Sequence, residues 1–229
     1  MIIYSNGCSH TRGHGINFVK TWPNVVMRGI LGNNDYETNP LKNKIKNTNI
    51  LFNEAESGSG NDYIFHNSLE SISELIQKNI KPDYVFIQWS GPNRRIHQDI
   101  DEKIYFINPH DNTEMGLKYE PLGSKHTLHY MFLMQEYLKN NNINYLFFNY
   151  MPLDESIKRL NIYNQMDFDN FLFTEVDTSI LFKGMMEYII KNNMTYDYVG
   201  HPNARGNFVI GNMVLKKLNF NELKYNNFC

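Results

Sequence analysis

The sequence predicts an α/β protein built on a parallel sheet, because short apolar runs alternate with segments of helical periodicity along the chain. The 229 residues suffice for one domain with a full hydrophobic core, and 41% of them are hydrophobic. We see no internal repeat and no linker. We therefore expect a single domain over residues 1–229, with about five parallel strands.

The expected strands are short apolar runs. The run at 83–89 is apolar nearly throughout, which suits a central strand covered by helices on both faces. The other runs lie at 1–5, 49–53, 144–150 and, as a weaker candidate, 195–199.

Helices are expected between these runs. The first begins at Trp22-Pro23, with Thr21 as its cap and Gly32 as its end. The second is indicated by Phe65, Leu69, Ile72 and Ile76, which recur at helical spacing. Three more are expected around 130–138, at 179–192 and around 208–218.

Two segments are harder to interpret. Residues 97–125 are polar and irregular, and a loop of that length is an insertion or a lid near a site. Residues 152–175 are ambiguous. Specificity would lie in 97–125 and in 151–178, whose aromatic side chains would either stack on sugars or belong to the core.

Composition and charge exclude several classes of function. The net charge of −2 gives no reason to expect a nucleic acid or an anionic membrane as partner. No apolar run approaches the roughly 20 residues of a membrane span. Because no signal peptide is visible and Cys8 and Cys229 are the only cysteines, we expect a cytoplasmic protein without a disulfide framework.

Four polar motifs follow predicted strands. Ser9 follows the first, Gly58 the second, Asn93 the third and His201 the last. The carboxyl ends of parallel strands share one sheet edge, where ligands bind in such folds. We therefore expect these residues to meet.

Each motif has a chemical and a structural interpretation. Ser9 is a nucleophile if His201 takes its proton, but it is otherwise a turn or helix cap. Gly58 lets a backbone N–H approach an oxyanion, or is a flexible turn. Asn93 offers a side-chain amide to an oxyanion, or sits in a Gly-Pro turn. His201 is a general base, or a structural histidine.

A metal site at His10 and His14 is not expected. Their i, i+4 spacing would suit two ligands on a helix, but we expect the intervening Thr-Arg-Gly to be non-helical. No cysteine or carboxylate cluster joins them.

The combination resembles the SGNH hydrolases, also called the GDSL-like lipase/esterase superfamily. The four blocks would be Gly7-Cys8-Ser9, Asn53 to Gly58, Gly91-Pro92-Asn93 and His201-Pro202-Asn203, in the family's order and across nearly the whole chain. Trp22-Pro23 and Gln88-Trp89-Ser90 are similar to variants in phage-encoded members, which would place the protein in a virion or a host cytoplasm.

Three positions depart from the family pattern. Cys8 replaces the usual Asp of the first block, and Arg94 stands where an acidic residue is common. The catalytic Asp usually lies three residues before the His, but that position is Tyr198, with Asp197 one residue earlier. Asp197 would reach the imidazole if the loop bulges at Gly200. Otherwise a Ser-His dyad operates, or a carbonyl orients the histidine.

The resemblance implies a flavodoxin-like three-layer α/β/α sandwich and a serine esterase without metal or organic cofactor. Ser9 would attack the ester, His201 would be the base, and Asp197 would orient it. The Ser9 and Gly58 N–H groups and the Asn93 amide would form the oxyanion hole. The substrate would be a small-molecule or glycan ester, such as an O-acetyl group on a glycan. The alternative is a weak or inactive module of this fold for binding or virion attachment. The oligomeric state is left open.

Overall fold

A five-stranded parallel sheet forms the centre of the molecule in this computed structural model, which describes residues 1–40, 45, 47–98, 104–107, 113–172, 184–197 and 200–225. The strands in chain order are β1 (Ile2–Asn6), β2 (Glu37–Thr38), β3 (Ile50–Asn53), β4 (Tyr84–Trp89), β5 (Arg95–Gln98), β6 (Ile104–Ile107) and β7 (Asn144–Asn149). The sheet order is β2-β3-β1-β4-β7, with every pair parallel. β5 and β6 form a separate antiparallel pair.

Helices cover both faces of this sheet. They are α1 (Ser9–Arg12), α2 (Trp22–Leu31), α3 (Asn61–Gln77), α4 (Thr113–Asn140), α5 (Gly184–Lys191) and α6 (Ala204–Lys217). Short 3-10 helices span Phe18–Lys20, Glu155–Arg159, Asn161–Gln165 and Phe168–Asn170.

The core has two layers because side chains alternate across the sheet. On β4, Val85 and Ile87 pack with α3 and α4, whereas Phe86 packs with α2, α5 and α6. The three-layer α/β/α sandwich with a five-stranded parallel sheet is therefore confirmed.

The fifth strand is not where the sequence placed it. The strand predicted at 195–199 does not join the sheet: Thr195 forms only an isolated antiparallel bridge with Pro202, and residues 198 and 199 lie outside the described part of the chain. The fifth strand is β2, a two-residue edge strand too short to produce an apolar run.

The predicted irregular segment at 97–125 is also partly regular. β5 and β6 pair within it, and α4 begins at Thr113 rather than beyond 125. Residues 99–103 and 108–112 lie outside the described part of the chain. A lid role for this segment stays a prediction.

The order of the strands positions the site. From β1 the chain goes to the edge strand β2 and returns to β3 beside β1, then crosses to β4 and β7 on the other side of β1. This reversal leaves a crevice at the carboxyl ends of β1 and β4, the position where open α/β sheets bind their ligands.

Candidate active site

Ser9 begins the short helix α1 directly after β1. Gly7 makes the turn, and Cys8 is the residue before the helix. A Cβ on Gly7 would lie 2.3 Å from Thr11 Oγ1 and 3.0 Å from the Gln88 carbonyl oxygen, so only glycine fits there. The backbone thus passes close to β4, and Ser9 lies at the crevice with 5% of its surface exposed.

His201 and Asp197 complete a hydrogen-bonded chain with Ser9. The His201 Nε2 to Ser9 Oγ distance is 2.9 Å. The opposite ring nitrogen, Nδ1, lies 2.7 Å from Asp197 Oδ2, and the His201 backbone N–H donates to Asp197 Oδ1 over 3.1 Å. Serine, imidazole and carboxylate therefore stand in the order of a catalytic triad.

A tight loop brings Asp197 to His201. Tyr196 N–H donates to the His201 carbonyl (2.7 Å) and Asn203 N–H donates to the Met194 carbonyl (2.8 Å), which closes the loop. Gly200 has a φ of +90°, a conformation that residues with a Cβ rarely adopt. With Gly200 in this left-handed conformation, the Asp197 carboxylate lies within hydrogen-bonding distance of the imidazole.

Burial lowers the pKa of His201 below its ordinary value. Desolvation is the largest cause, and the neighbouring His10 adds to it. The hydrogen bond and charge of Asp197 act in the opposite direction, and His14 lowers the pKa further. The lowered pKa keeps His201 neutral, as a base must be, to a lower pH than a free imidazole.

The loops after β1, β3 and β4 are hydrogen-bonded to one another. Glu56 N–H donates to the Gly7 carbonyl (3.2 Å), which joins the first two loops. Asn61 joins the second to the third, because Ser90 N–H donates to Asn61 Oδ1 (2.7 Å) and Asn61 Nδ2 donates to the Ser90 carbonyl (3.1 Å).

The remaining predicted site residues lie in these joined loops. Gly58 has a φ of +86° and is half-buried, so its turn also favours glycine. Asn93 is half-buried, and its Oδ1 lies 3.0 Å from the position of a Cβ on Gly123 in α4. The structure thus brings both into the loop cluster that carries Ser9.

The sequence interpretation did not predict that two other histidines contact His201. His10 and His14 both contact the His201 ring, with centroids 4.7 and 4.8 Å away. Their i, i+4 spacing was visible in the sequence. The expectation of a non-helical Thr-Arg-Gly is wrong for Thr11 and Arg12, which belong to α1, whereas Gly13 ends the helix in left-handed conformation. The described residues include no group of three or more His, Cys, Asp or Glu placed to hold a metal ion.

A cleft of about 930 Å³ opens beside the site. Arg12 and His14 line it from the end of α1, and Glu56 and Ser57 line it from the loop after β3. Arg12 forms an ion pair with Glu56 across it. The cleft reaches the site through His14, which contacts His201.

The sequence matches no family model, and a comparison with curated proteins finds no relative. Solved structures are similar. The crystal structure of TesA aligns with a TM-score of 0.56 at 12% identity, over 95% of this chain and 98% of that chain.

The chain has the fold of solved esterases. The psychrotrophic esterase EstA from Pseudoalteromonas sp. aligns with a TM-score of 0.55 at 13% identity, over 95% of this chain and 96% of that one. The acetyl xylan esterase AlAXEase aligns with a TM-score of 0.51 at 16% identity, over 94% and 98%. At such identities the likeness establishes the fold, and the chemistry must be argued from the site.

In the described part of the chain, we find no helix with the length and hydrophobicity that a membrane span requires.

Proposed function

We propose that this protein is a serine ester hydrolase of the SGNH type. The observation that carries the proposal is the continuous hydrogen-bonded chain from Ser9 through His201 to Asp197, with distances of 2.9 and 2.7 Å. These are hydrogen-bonding distances between a nucleophile, a base and the group that orients the base. The esterase fold and the crevice position of Ser9 support the same conclusion.

The geometry supports one direction for each proton transfer. Asp197 accepts the Nδ1–H of His201, so the lone pair of Nε2 faces Ser9 and takes its proton as Oγ attacks the ester carbonyl. The tetrahedral intermediate then collapses, and His201 gives that proton to the leaving alcohol. A water attacks the acyl-Ser9 ester by the same route and releases the acid.

The oxyanion would be held by three donors in the joined loops. These are the backbone N–H groups of Ser9 and Gly58 and the side-chain amide of Asn93. The interloop hydrogen bonds of Asn61 hold the second and third loops together before substrate binds, and such preorganisation makes oxyanion donors effective.

The proposed substrate is an ester with a polar alcohol portion, such as an O-acetylated glycan. The adjoining cleft carries charged and polar side chains, including Arg12, Glu54 and Glu56. One solved structure of the same fold is an acetyl xylan esterase, which supports a small acyl group on a polar alcohol.

The alternative, an inactive binding module, depended on the Tyr at the family's usual Asp position. That residue, Tyr198, lies outside the described part of the chain. Asp197 supplies a carboxylate to the imidazole instead, which favours an enzyme over the alternative.

The test is hydrolysis of p-nitrophenyl acetate and labelling by a fluorophosphonate. We expect the wild type to hydrolyse the ester and to gain one phosphonyl group on Ser9, with release of fluoride. Ser9→Ala should lose both properties. Ser73→Ala is the matched control, because that hydroxyl bonds the Leu69 carbonyl and Tyr137 within the α3–α4 layer. Equal activity of wild type and Ser9→Ala, without labelling of Ser9, would refute the proposal.

A further inference from the structure

The Asp197–His201 loop is supported from the sheet by Tyr150, a residue with no role in the scheme above. Tyr150 directly follows β7 and is 1% exposed. Its backbone N–H donates to the Trp89 carbonyl (2.9 Å), and its carbonyl accepts the N–H of Met186 in α5 (2.9 Å). These two hydrogen bonds fix the backbone of Tyr150 to β4 and to α5, beside the site.

The Tyr150 hydroxyl donates to the Gly200 carbonyl, one residue before His201. The pKa of Tyr150 is raised far above its ordinary value, mainly by burial. The phenol therefore keeps its proton, and donates it in the hydrogen bond, throughout the pH range in which an enzyme works. This hydrogen bond holds the carbonyl of Gly200, the residue whose φ of +90° turns the chain back toward Asp197.

The Tyr150 ring also supports His201 through His10. Tyr150 and His10 stack with centroids 3.4 Å apart and planes 21° apart. His10 then stacks on His201 with centroids 4.7 Å apart and planes 24° apart. His10 is itself 4% exposed, and its Nδ1 lies 2.9 Å from Cys8 Sγ. The Tyr150 hydroxyl thus supports the loop, and the Tyr150 ring supports the His201 imidazole through His10.

We infer that Tyr150 is a positioning residue for the base, and this inference rests on the proposed function. Its hydroxyl holds the Gly200 turn in the conformation that lets Asp197, four residues before His201, reach the imidazole. Tyr150 touches neither Ser9 nor the ester in this scheme. Its effect on the reaction passes through the Asp197–His201 hydrogen bond.

The direct test compares Tyr150→Phe with Tyr145→Phe. Tyr145 is a matched control: it lies on β7, is 5% exposed, and its hydroxyl bonds Asp167 on the layer that contains α3 and α4. We expect Tyr150→Phe to lower kcat for p-nitrophenyl acetate about tenfold, the effect of one lost hydrogen bond, with KM unchanged. Tyr145→Phe should keep wild-type kcat.

The pH profile separates positioning from a general loss of structure. The titratable groups that act on His201 are His10 and His14 from α1 and its end, and Asp197 from its own loop, while Arg94 acts on His10. Asp197 raises the pKa of His201. When the loop loosens, this effect weakens, so the acidic limb of kcat/KM in Tyr150→Phe should move to lower pH. In Tyr145→Phe it should not move.

A double mutant with Asp197→Asn completes the test. If Tyr150 acts through Asp197, Tyr150→Phe/Asp197→Asn should be no slower than Asp197→Asn alone. Multiplying losses and an unmoved acidic limb would overturn the inference, as would wild-type kcat in Tyr150→Phe. Should Tyr150→Phe fail to fold, Gly200→Ala perturbs the same turn through its positive φ and should show the same non-additivity with Asp197→Asn. Equal activity of Ser9→Ala and wild type would instead refute the proposed function.

Discussion

Replacing Asp197 by asparagine tests whether the site uses a triad or a Ser-His dyad. Asparagine preserves the shape of the side chain and can still accept the His201 backbone N–H, which now donates to Asp197 Oδ1 over 3.1 Å. It removes the negative charge that lies 2.7 Å from Nδ1. The substitution therefore preserves the structure of the loop and changes the charge and the group that faces Nδ1.

The expected loss follows from two contributions. A hydrogen bond to a charged group contributes about 1.5–3 kcal/mol, which is about 10- to 150-fold in rate at 1.4 kcal/mol per tenfold. An asparagine NH₂ group that donates to Nδ1 would also place the ring proton on Nε2, where it faces Ser9 and blocks proton transfer. The serine-protease triad loses about 10⁴-fold for this reason. We therefore expect kcat to fall about 10²- to 10⁴-fold.

The assay is steady-state hydrolysis of p-nitrophenyl acetate across pH, with thermal unfolding to verify the fold. KM should change little because Asp197 contacts the side of the imidazole opposite Ser9. Asp154→Asn is the control: Asp154 caps the 3-10 helix Glu155–Arg159, and asparagine caps equally well. An Asp197→Asn enzyme within threefold of the wild type would show that the carboxylate has no catalytic role.

Two further predictions concern other groups at the site. Asn93→Ala should lower kcat about 10²- to 10³-fold with little change in KM, as loss of an oxyanion donor does. Asn161 is exposed, and Asn161→Ala, the control, should keep the wild-type kcat. An unchanged kcat in Asn93→Ala would exclude Asn93 from the oxyanion hole. His10 has a pKa well below its ordinary value, with burial as the largest cause. Below pH 6.5 His10 therefore binds a proton in the unfolded chain but stays neutral in the native protein. The native state is thus most favoured above pH 6.5, and its free energy of unfolding decreases as the pH falls toward the lowered native pKa. Between pH 6.5 and 5.5 this costs on the order of 1 kcal/mol. Denaturant unfolding should show a smaller loss in His10→Phe, and equal losses would contradict the assignment.

Much of the fold could be predicted because its signals are local. The Trp22–Leu31 helix has proline in its first turn and Gly32 in left-handed conformation at its end, and both are readable in the sequence. The apolar runs of β1, β3, β4 and β7 were predicted to within a residue or two. β2 was missed because two edge residues with half-buried side chains produce no apolar pattern.

By itself the sequence determined the α/β class and the placement of Ser9, Gly58 and Asn93 after β1, β3 and β4, because periodicity and turn chemistry act over a few residues. Only the tertiary structure decided that Asp197 reaches His201, 2.7 Å away, and that Tyr150 stacks on His10 and His10 on His201. Beside that contact lies the left-handed turn at Gly200, whose carbonyl accepts the hydroxyl proton of Tyr150, about fifty residues earlier in the chain. Tertiary packing brings the loop that contains Asp197 and His201 against the end of β7, and the spacing of these residues in the sequence does not indicate that contact.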